Sequence, residues 1–203
     1  MAQSGGVVGP KGVIGPKGTV SGASSSSCPS LPYTDSFTTL GALSSNWTPQ
    51  TLGSGVVALA VSSSGVVQTS TNATGSFGFS IFNCMASGAN TSISSTITWA
   101  GGNFSRICLN ASIGTGQDTG ICFVPQLANI YKIVNGSASS IASGCGSGTT
   151  GQTYTLTRSG STYTASGTGV SCSGSDNTLT GYPGITVYDA AAGGDSIGPV
   201  TVQ

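Results

Sequence analysis

The chain has 203 residues and only ten charged side chains, five basic and five acidic, so its formal net charge is zero. A chain without net positive charge gains no binding free energy from counterion release at phosphates, so we do not expect nucleic acid as a partner. No apolar run approaches the roughly 18 to 20 residues that span a bilayer, so we do not expect a membrane as a partner either. The sequence contains no His and no Glu, which removes Ser-His-Asp and Cys-His catalysis, so we expect no catalytic residue and no enzyme activity.

The N-terminal segment is a run of five Gly-X-Y triplets over residues 6–20. A collagen-like triple helix requires glycine at every third position, because only glycine fits at its crowded axis. Five triplets are too few for a stable isolated triple helix, and a weakly charged surface favours self-association. We therefore expect residues 1–27 to form an extended arm, with a Ser-rich hinge, that holds a homotrimer together; docking on a neighbouring structural subunit and a mobile tail are the alternatives. The arm residues expected to make these contacts are Gly6, Val7, Val8, Gly9, Pro10, Gly12, Val13, Ile14, Gly15, Pro16 and Gly18.

Residues 28–203 read as one all-β domain, because short apolar runs alternate with Gly, Ser, Asn and Thr. The clearest run has Ile93, Ile97 and Trp99 on one side and hydroxyl residues on the other, which predicts a strand with one packed and one solvated face. Asn135-Gly136 and the segment 158–161 are typical of tight hairpin turns. The predicted strands are 55–62, 66–70, 76–82, 93–99, 105–110, 120–125, 130–134, 137–142, 154–158, 161–166 and 185–188.

The six cysteines include no C-x-x-C pair, and without His a zinc site is not expected. One pair lies symmetrically about the polar loop 114–116, where an antiparallel hairpin would place the two residues opposite each other. A second pair is nearly symmetric about the turn at 158–161, which leaves the remaining two together. Six buried free thiols are the alternative. The predicted disulfides are Cys108–Cys122, Cys145–Cys172 and Cys28–Cys84.

Acidic residues in turn-rich loops are candidate oxygen ligands for Ca²⁺, although loop Asp more often serves turn chemistry, so no metal and no cofactor is the expectation. These residues are Asp118, Asp176, Asp189 and Asp195. Carbohydrate would require an exposed aromatic platform, for which Trp47 and Tyr182 are the candidates, since Trp99 is expected in the core.

Six N-x-S/T sequons are candidate glycosylation sites on surface loops, if the host glycosylates. They are Asn46, Asn72, Asn90, Asn103, Asn110 and Asn135.

The segments Asp35-Ser36-Phe37, Gly41-Ala42-Leu43 and Asn46-Trp47-Thr48 resemble the opening of concanavalin A-like (laminin-G-type) jelly-roll domains. The hairpin at 154–165, the turn at 181–185 and a last strand near 200–202 resemble the end of these domains. The resemblance covers residues 35–203 and implies an antiparallel jelly-roll β-sandwich. This group contains sugar-binding modules, glycoside-processing enzymes and phage appendages, but none of its catalytic positions can be carried over, because the enzymes rely on acidic residues and this chain has no Glu.

A Gly-X-Y stub before a β-rich head also resembles phage fibre and capsid-decoration proteins and the collagen-like filaments of bacterial surfaces. The leading expectation is therefore a structural protein on a virion surface or in an extracellular filament, assembled through its arm with copies of itself and neighbouring subunits. The alternative is a glycan-binding adhesin, and a glycoside-processing enzyme ranks third.

Overall fold

The computed structural model describes residues 28–51, 55–69, 77–101, 104–114, 117–188 and 194–203. The predicted arm, residues 1–27, lies outside these residues, so its role stays a prediction. The described residues form β-strands joined by turns and loops, and no helix among them is long and apolar enough to cross a bilayer. The strands are β1 (Tyr33–Asp35), β2 (Gly41–Ala42), β3 (Trp47–Pro49), β4 (Leu59–Ser62), β5 (Gly65–Gln68), β6 (Phe77–Phe82), β7 (Asn90–Thr98), β8 (Arg106–Ser112), β9 (Thr119–Val124), β10 (Asn129–Val134), β11 (Ser137–Ala142), β12 (Gln152–Ser159), β13 (Thr162–Gly167), β14 (Val170–Ser175), β15 (Tyr182–Tyr188) and β16 (Ser196–Val202).

Two antiparallel sheets pack face to face as a sandwich, which confirms the predicted fold class. Sheet A has the strand order β14-β13-β12-β7-β16-β5-β4-β2, and β1 pairs with the distal part of β16. Sheet B has the order β11-β10-β9-β8-β15-β6-β3. Many neighbours in these sheets are distant in sequence, as in a jelly roll.

The core lies between the sheets and follows from the period-two pattern of the sequence. Ile93 and Ile97 of β7 are fully buried, whereas Ser94 and Thr96 between them face outward. They belong to one apolar cluster with Leu156 of β12 and with Ile107 and Phe123 of sheet B. Burial of such side chains stabilises the fold by about 1.5 to 3 kcal/mol each.

Trp47 belongs to this core, so its prediction as a glycan-binding platform is wrong. Its side chain is 4% exposed and packs against Phe82, with ring centroids 5.6 Å apart. The indole N–H donates to the Asp35 carboxylate at 2.9 Å, and the same carboxylate accepts from the backbone N–H of Phe37 at 3.0 Å. The opening motif of the domain is thus a hydrogen-bonded junction that joins β1 of sheet A to β3 of sheet B.

The structure contains the three predicted disulfides and both predicted hairpin turns. Cys108 and Cys122 lie opposite each other on β8 and β9, while the other two bonds join Cys145 to Cys172 and Cys28 to Cys84. The turn between β10 and β11 has positive φ at both central residues, 48° at Asn135 and 75° at Gly136. Periodicity alone missed β14, because this edge strand has only two inward apolar residues, Val170 and Cys172, between serines and a glycine.

Replacement of Cys108 and Cys122 together by Ala should lower the free energy of unfolding by about 3 kcal/mol, because the cross-link closes a loop with a sequence separation of 14. Urea unfolding monitored by tryptophan fluorescence measures this loss. The matched double replacement of Cys145 and Cys172, whose separation is 27, should cost slightly more. A double variant as stable as the wild type would contradict the prediction.

Candidate functional site

A tight turn between β12 and β13 stands at one end of sheet A, with a shallow depression on each side. The first depression has a volume of about 320 Å³ and the second about 200 Å³. We call the turn and its two depressions the turn site. The first depression is lined by Asn90, Thr91, Ser92, Thr157, Arg158, Ser159 and Gln203, and the second by Ser161, Ser175, Asp176 and Asn177.

Arg158 fixes the position of the turn. Its Nε donates to the carbonyl oxygen of Gly160 at 2.8 Å, and its Nη1 donates to the carbonyl oxygen of Ser87 and to Oδ1 of Asn110, both at 3.0 Å. Gly160 has a φ of 61°, which glycine adopts without the steric cost of a Cβ atom. The turn is therefore tied both to the loop before β7 and to β8 of the opposite sheet.

The ring of Tyr163 lies beneath this arginine. The Arg158 guanidinium carbon is 5.8 Å from the ring centroid, a cation–π distance. Burial raises the pKa of the Tyr163 phenol, and the nearby positive charge of Arg158 only partly offsets this effect. Tyr163 is therefore a neutral packing residue under the turn at physiological pH.

Asp176 organises the second depression. Its backbone N–H donates to the carbonyl oxygen of Ser161 at 3.0 Å, and its carboxylate accepts from the backbone N–H of Thr178 at 2.8 Å. Lys132 of sheet B forms an ion pair with the same carboxylate at 2.9 Å. Burial alone would raise the pKa of Asp176, but the hydrogen bonds from Lys132, Thr178 and Leu179 outweigh it and hold the pKa below its usual value. The carboxylate is therefore ionised at neutral pH and acts as an acceptor.

The turn site combines hydroxyls, three side-chain amides, a guanidinium and one carboxylate in a small area. Gln203 is held there by β-type pairing, because its backbone N–H and the N–H of Ser92 each donate to the other residue's carbonyl oxygen, at 3.0 and 2.9 Å. Such a set offers neutral and charge-assisted donors and acceptors side by side. A ligand with many hydroxyl groups could pair with most of them.

Tyr182 lies on the other side of the molecule, on the outer face of sheet B. It is half-buried, pairs with Ala111 and packs with Tyr131 and Tyr188 around a buried apolar floor that includes Phe79. Its role as a glycan-binding residue stays a prediction, and the structure does not bring it to the turn site.

The outer face of sheet B is partly closed by the chain itself. The Gln50 side chain, just after β3, donates to the carbonyl oxygen of Gly114 at 2.7 Å and accepts from its N–H at 3.0 Å. These two hydrogen bonds between the Gln50 amide and the Gly114 backbone hold the segment directly after β8. Ile113 of that loop packs on the apolar floor.

The acidic loop residues considered as Ca²⁺ ligands have separate partners. Asp118 pairs with Arg106, and Asp195 accepts from the N–H of Ala100 at 2.9 Å and from the hydroxyl of Ser105 at 2.8 Å. Among the residues that the structure describes, no three His, Cys, Asp or Glu side chains come together as a metal site. Asp189, the fourth candidate, lies outside the described residues.

The candidate glycosylation sites differ in the solvent exposure of their asparagine side chains. Asn90 and Asn135 are exposed, and Asn46 is half-buried with its amide donating to the Tyr33 hydroxyl at 3.0 Å. Asn110 is fully buried and its amide donates to the carbonyl oxygen of Leu179, so glycosylation predicted at this residue is wrong for the folded protein. Asn72 and Asn103 lie outside the described residues.

No family model and no curated protein sequence matches this chain. Several solved structures share its fold, including the following two. The carbohydrate binding module CBM66 from Bacillus subtilis superposes with a TM-score of 0.52 at 16% identity, over 78% of this chain and 92% of that one. The exoplasmic/lumenal domain of VIP36, in its Ca²⁺/Man3GlcNAc-bound form, gives a TM-score of 0.52 at 12% identity, over 78% of this chain and 83% of that one. At these identities the likeness shows the shared sandwich fold.

Asn177 and Gln203 of the turn site were not candidates in the sequence. Their surroundings come from strands that are far apart in the chain, and β14, which leads into Asp176, was not predicted. The Asp-Asn pair directly after an alternating serine run is the one local signal that could have indicated this loop.

Asp176→Asn should lower the free energy of unfolding near pH 7, because the neutral amide loses the ion pair with Lys132. The folded-state pKa of Asp176 lies below the unfolded value of about 3.9. Its contribution is therefore fully present above the unfolded-state pKa and is lost as pH falls through the folded-state pKa.

Urea unfolding of wild type and Asp176→Asn between about pH 7 and pH 2 tests this, and the stability difference should shrink towards the acid end. Asn177→Ala, at the neighbouring position, is the control and should leave the pH dependence unchanged. A difference that stays constant over the whole range would rule out the assigned role of the carboxylate.

Proposed function

We propose that this protein is a non-enzymatic module that binds neutral carbohydrate at the turn site. The observation that carries this proposal is the convergence of amide, hydroxyl and carboxylate groups in two depressions that flank one rigid turn. The depressions are lined by residues of β7, β12, the end of β14 and the residue after β16. Each lies on a β-strand or within two residues of one.

The chemistry of the groups matches that of a sugar. A hydroxyl pair on a pyranose ring can donate to the side-chain oxygen of exposed Asn177 and accept from its amide N–H. On the other side of the turn, Asn90 and Gln203 offer the same amide chemistry. Because Arg158 and Asp176 already fix the turn and the loop after β14, little conformational entropy is lost when a ligand binds.

The comparisons and the cysteines support the same function. One solved structure with this fold is titled a carbohydrate binding module, and another was solved with Man3GlcNAc bound. Three disulfides are typical of proteins outside the reducing cytosol, in an extracellular or lumenal setting.

A glycan array of neutral oligosaccharides, followed by calorimetry on the strongest ligand, tests the proposal. We expect a micromolar Kd, and the double variant Asn177→Ala, Gln203→Ala should weaken it about tenfold or more, since each lost hydrogen bond to a sugar costs roughly 1 kcal/mol. Both residues are exposed, so the variant should fold normally.

Tyr182→Ala on the opposite outer face is the control and should bind as the wild type does. If Tyr182→Ala abolishes binding and the amide variant does not, the ligand lies on sheet B. If no neutral glycan binds, the proposed function is wrong.

A second function, in assembly, is favoured by the glycine repeat over residues 6–20. We propose that the arm joins copies of this chain, or attaches it to a neighbouring subunit of a virion or filament, and displays the sandwich. Since isolated glycine-spaced triplets need three chains to form a triple helix, a trimer is the expected state. Assembly of this kind is compatible with glycan binding, because the two use different parts of the chain.

Deletion of residues 1–20 should convert the trimer into a monomer, measured by sedimentation velocity. Replacement of Gly9 and Gly15 by Ala in the full-length chain is the finer test, because a Cβ atom at the axis disrupts a triple helix. An oligomer that is unchanged in both variants would show that the arm has no role in assembly.

A further inference from the structure

One half of the outer face of sheet A, formed by β14, β13, β12 and β7, is built almost entirely from hydroxyl side chains. In β14, β13, β12 and β7, inward and outward residues alternate, and every outward residue after Asn90 is Ser or Thr. We call this surface the hydroxyl face. One row of it crosses six neighbouring strands through Ser171, Ser166, Thr155, Ser94, Thr201 and Thr34.

The hydroxyl groups are ordered by bonds to one another. Thr96 and Thr153 share a hydrogen bond of 2.9 Å between their hydroxyls, and Thr164 and Ser173 share one of 2.8 Å. Each hydroxyl has one proton and two lone pairs, so a pair that uses one proton keeps a donor and several acceptor positions. Neighbouring rows and columns are spaced by about 4.8 Å between strands and about 6.8 Å along a strand. The result is a regular grid of oriented donors and acceptors.

The hydroxyl face carries no ionised side chain at its outward positions on these four strands. Arg158 of β12 points inward, where it contacts Asn110 of the opposite sheet. A charged partner would therefore lose hydration without gaining an ion pair, and an apolar partner would leave the hydroxyls unpaired. A neutral partner covered with hydroxyls matches the face group for group.

The shape of the face selects the physical state of that partner. The row of six side chains spans about 24 Å, so it exceeds the size of one or two sugar rings. A rigid grid makes many weak hydrogen bonds at once with another rigid, regular surface. A mobile soluble chain would have to lose conformational entropy to lie flat on it.

The hydroxyl face and the turn site are continuous. Ser159 and Ser92 line the first depression and Ser175 lines the second, and all three are also outward residues of the face. A polysaccharide chain held in a depression can therefore run on across the sheet.

We infer that the hydroxyl face extends the turn site into a planar surface for insoluble, neutral polysaccharide with ordered chains. This inference rests on the proposed carbohydrate-binding function and names the form of carbohydrate that the module recognises. The turn site binds a short stretch of one chain, and the hydroxyl face contacts the neighbouring chains of the same solid surface.

The test is depletion of the full-length protein from solution by microcrystalline cellulose and by chitin, next to calorimetry with the best soluble oligosaccharide. The variant Thr153→Lys, Ser166→Lys places two charges on exposed positions of the hydroxyl face that line neither depression of the turn site. Its matched control, Ser137→Lys, Ser139→Lys, adds the same charge to exposed positions of β11 in sheet B. We expect the wild type and the control to be depleted by at least one solid, and the face variant to partition at least tenfold less while it keeps its affinity for the soluble ligand.

Each other result overturns the inference. Equal depletion of wild type and face variant would show that the hydroxyl face makes no contact with the solid. If the wild type binds the soluble ligand but neither solid, the proposed carbohydrate-binding function holds and the planar binding surface is wrong. If neither soluble nor insoluble carbohydrate binds, both fail. If the wild type sediments as multimers that the face variant disperses, the face joins copies of this chain instead.

Discussion

Hydrogen bonds and an ion pair made by charged side chains join the two sheets of this sandwich. The chain has only ten charged residues, and the rest of the structure depends on their use between the sheets. Asp35 of β1 accepts from Trp47 of β3, and Arg158 of β12 donates to Asn110 of β8. In the same way Asp176, after β14, pairs with Lys132 of β10. Charge-assisted hydrogen bonds of this kind are about twice as strong as neutral ones. They link sheet A to sheet B at widely separated points around the apolar core.

As a consequence, few charged side chains remain for the protein surface. Proteins of ordinary composition solvate their outward strand positions with Lys, Glu and Arg, whereas here Ser and Thr do so. Hydroxyl side chains are short, and those on adjacent strands bond to each other, as Thr34 and Thr201 do at 2.9 Å. A face of this kind is flatter and better ordered than one made of long flexible cations. The same scarcity of charge that shapes the interior therefore gives sheet A its regular outer surface.

The sequence predicted what local pattern controls and missed what register controls. Strict alternation around Ile93 and Ile97, the Asn135-Gly136 turn and the symmetric cysteine spacing each depend on residues close in the chain, and the structure has all of them. The local sequence predicts Trp47 as an exposed platform, because nothing in its neighbourhood shows that a carboxylate twelve residues earlier accepts its N–H. The turn site was missed for the same reason, since strand pairing and packing bring its residues together from β7, β12 and both chain segments after β14 and β16.

The two outer faces of the sandwich differ in the chemistry of their side chains. On sheet B outer positions form a second, smaller apolar cluster, on which Ile113 packs next to the hydrogen bonds between Gln50 and Gly114. On β14, β13, β12 and β7 of sheet A the outward side chains are polar and open, and their hydrogen bonds are only partly used within the protein. Under the proposed carbohydrate-binding function, exposed Asn90 and Asn177 at one end of sheet A would add directional, ligand-specific contacts to the broad but weak matching of hydroxyl to hydroxyl. Specificity and surface area are in this way supplied by adjoining parts of one sheet, which a small domain with few charges can build without weakening its core.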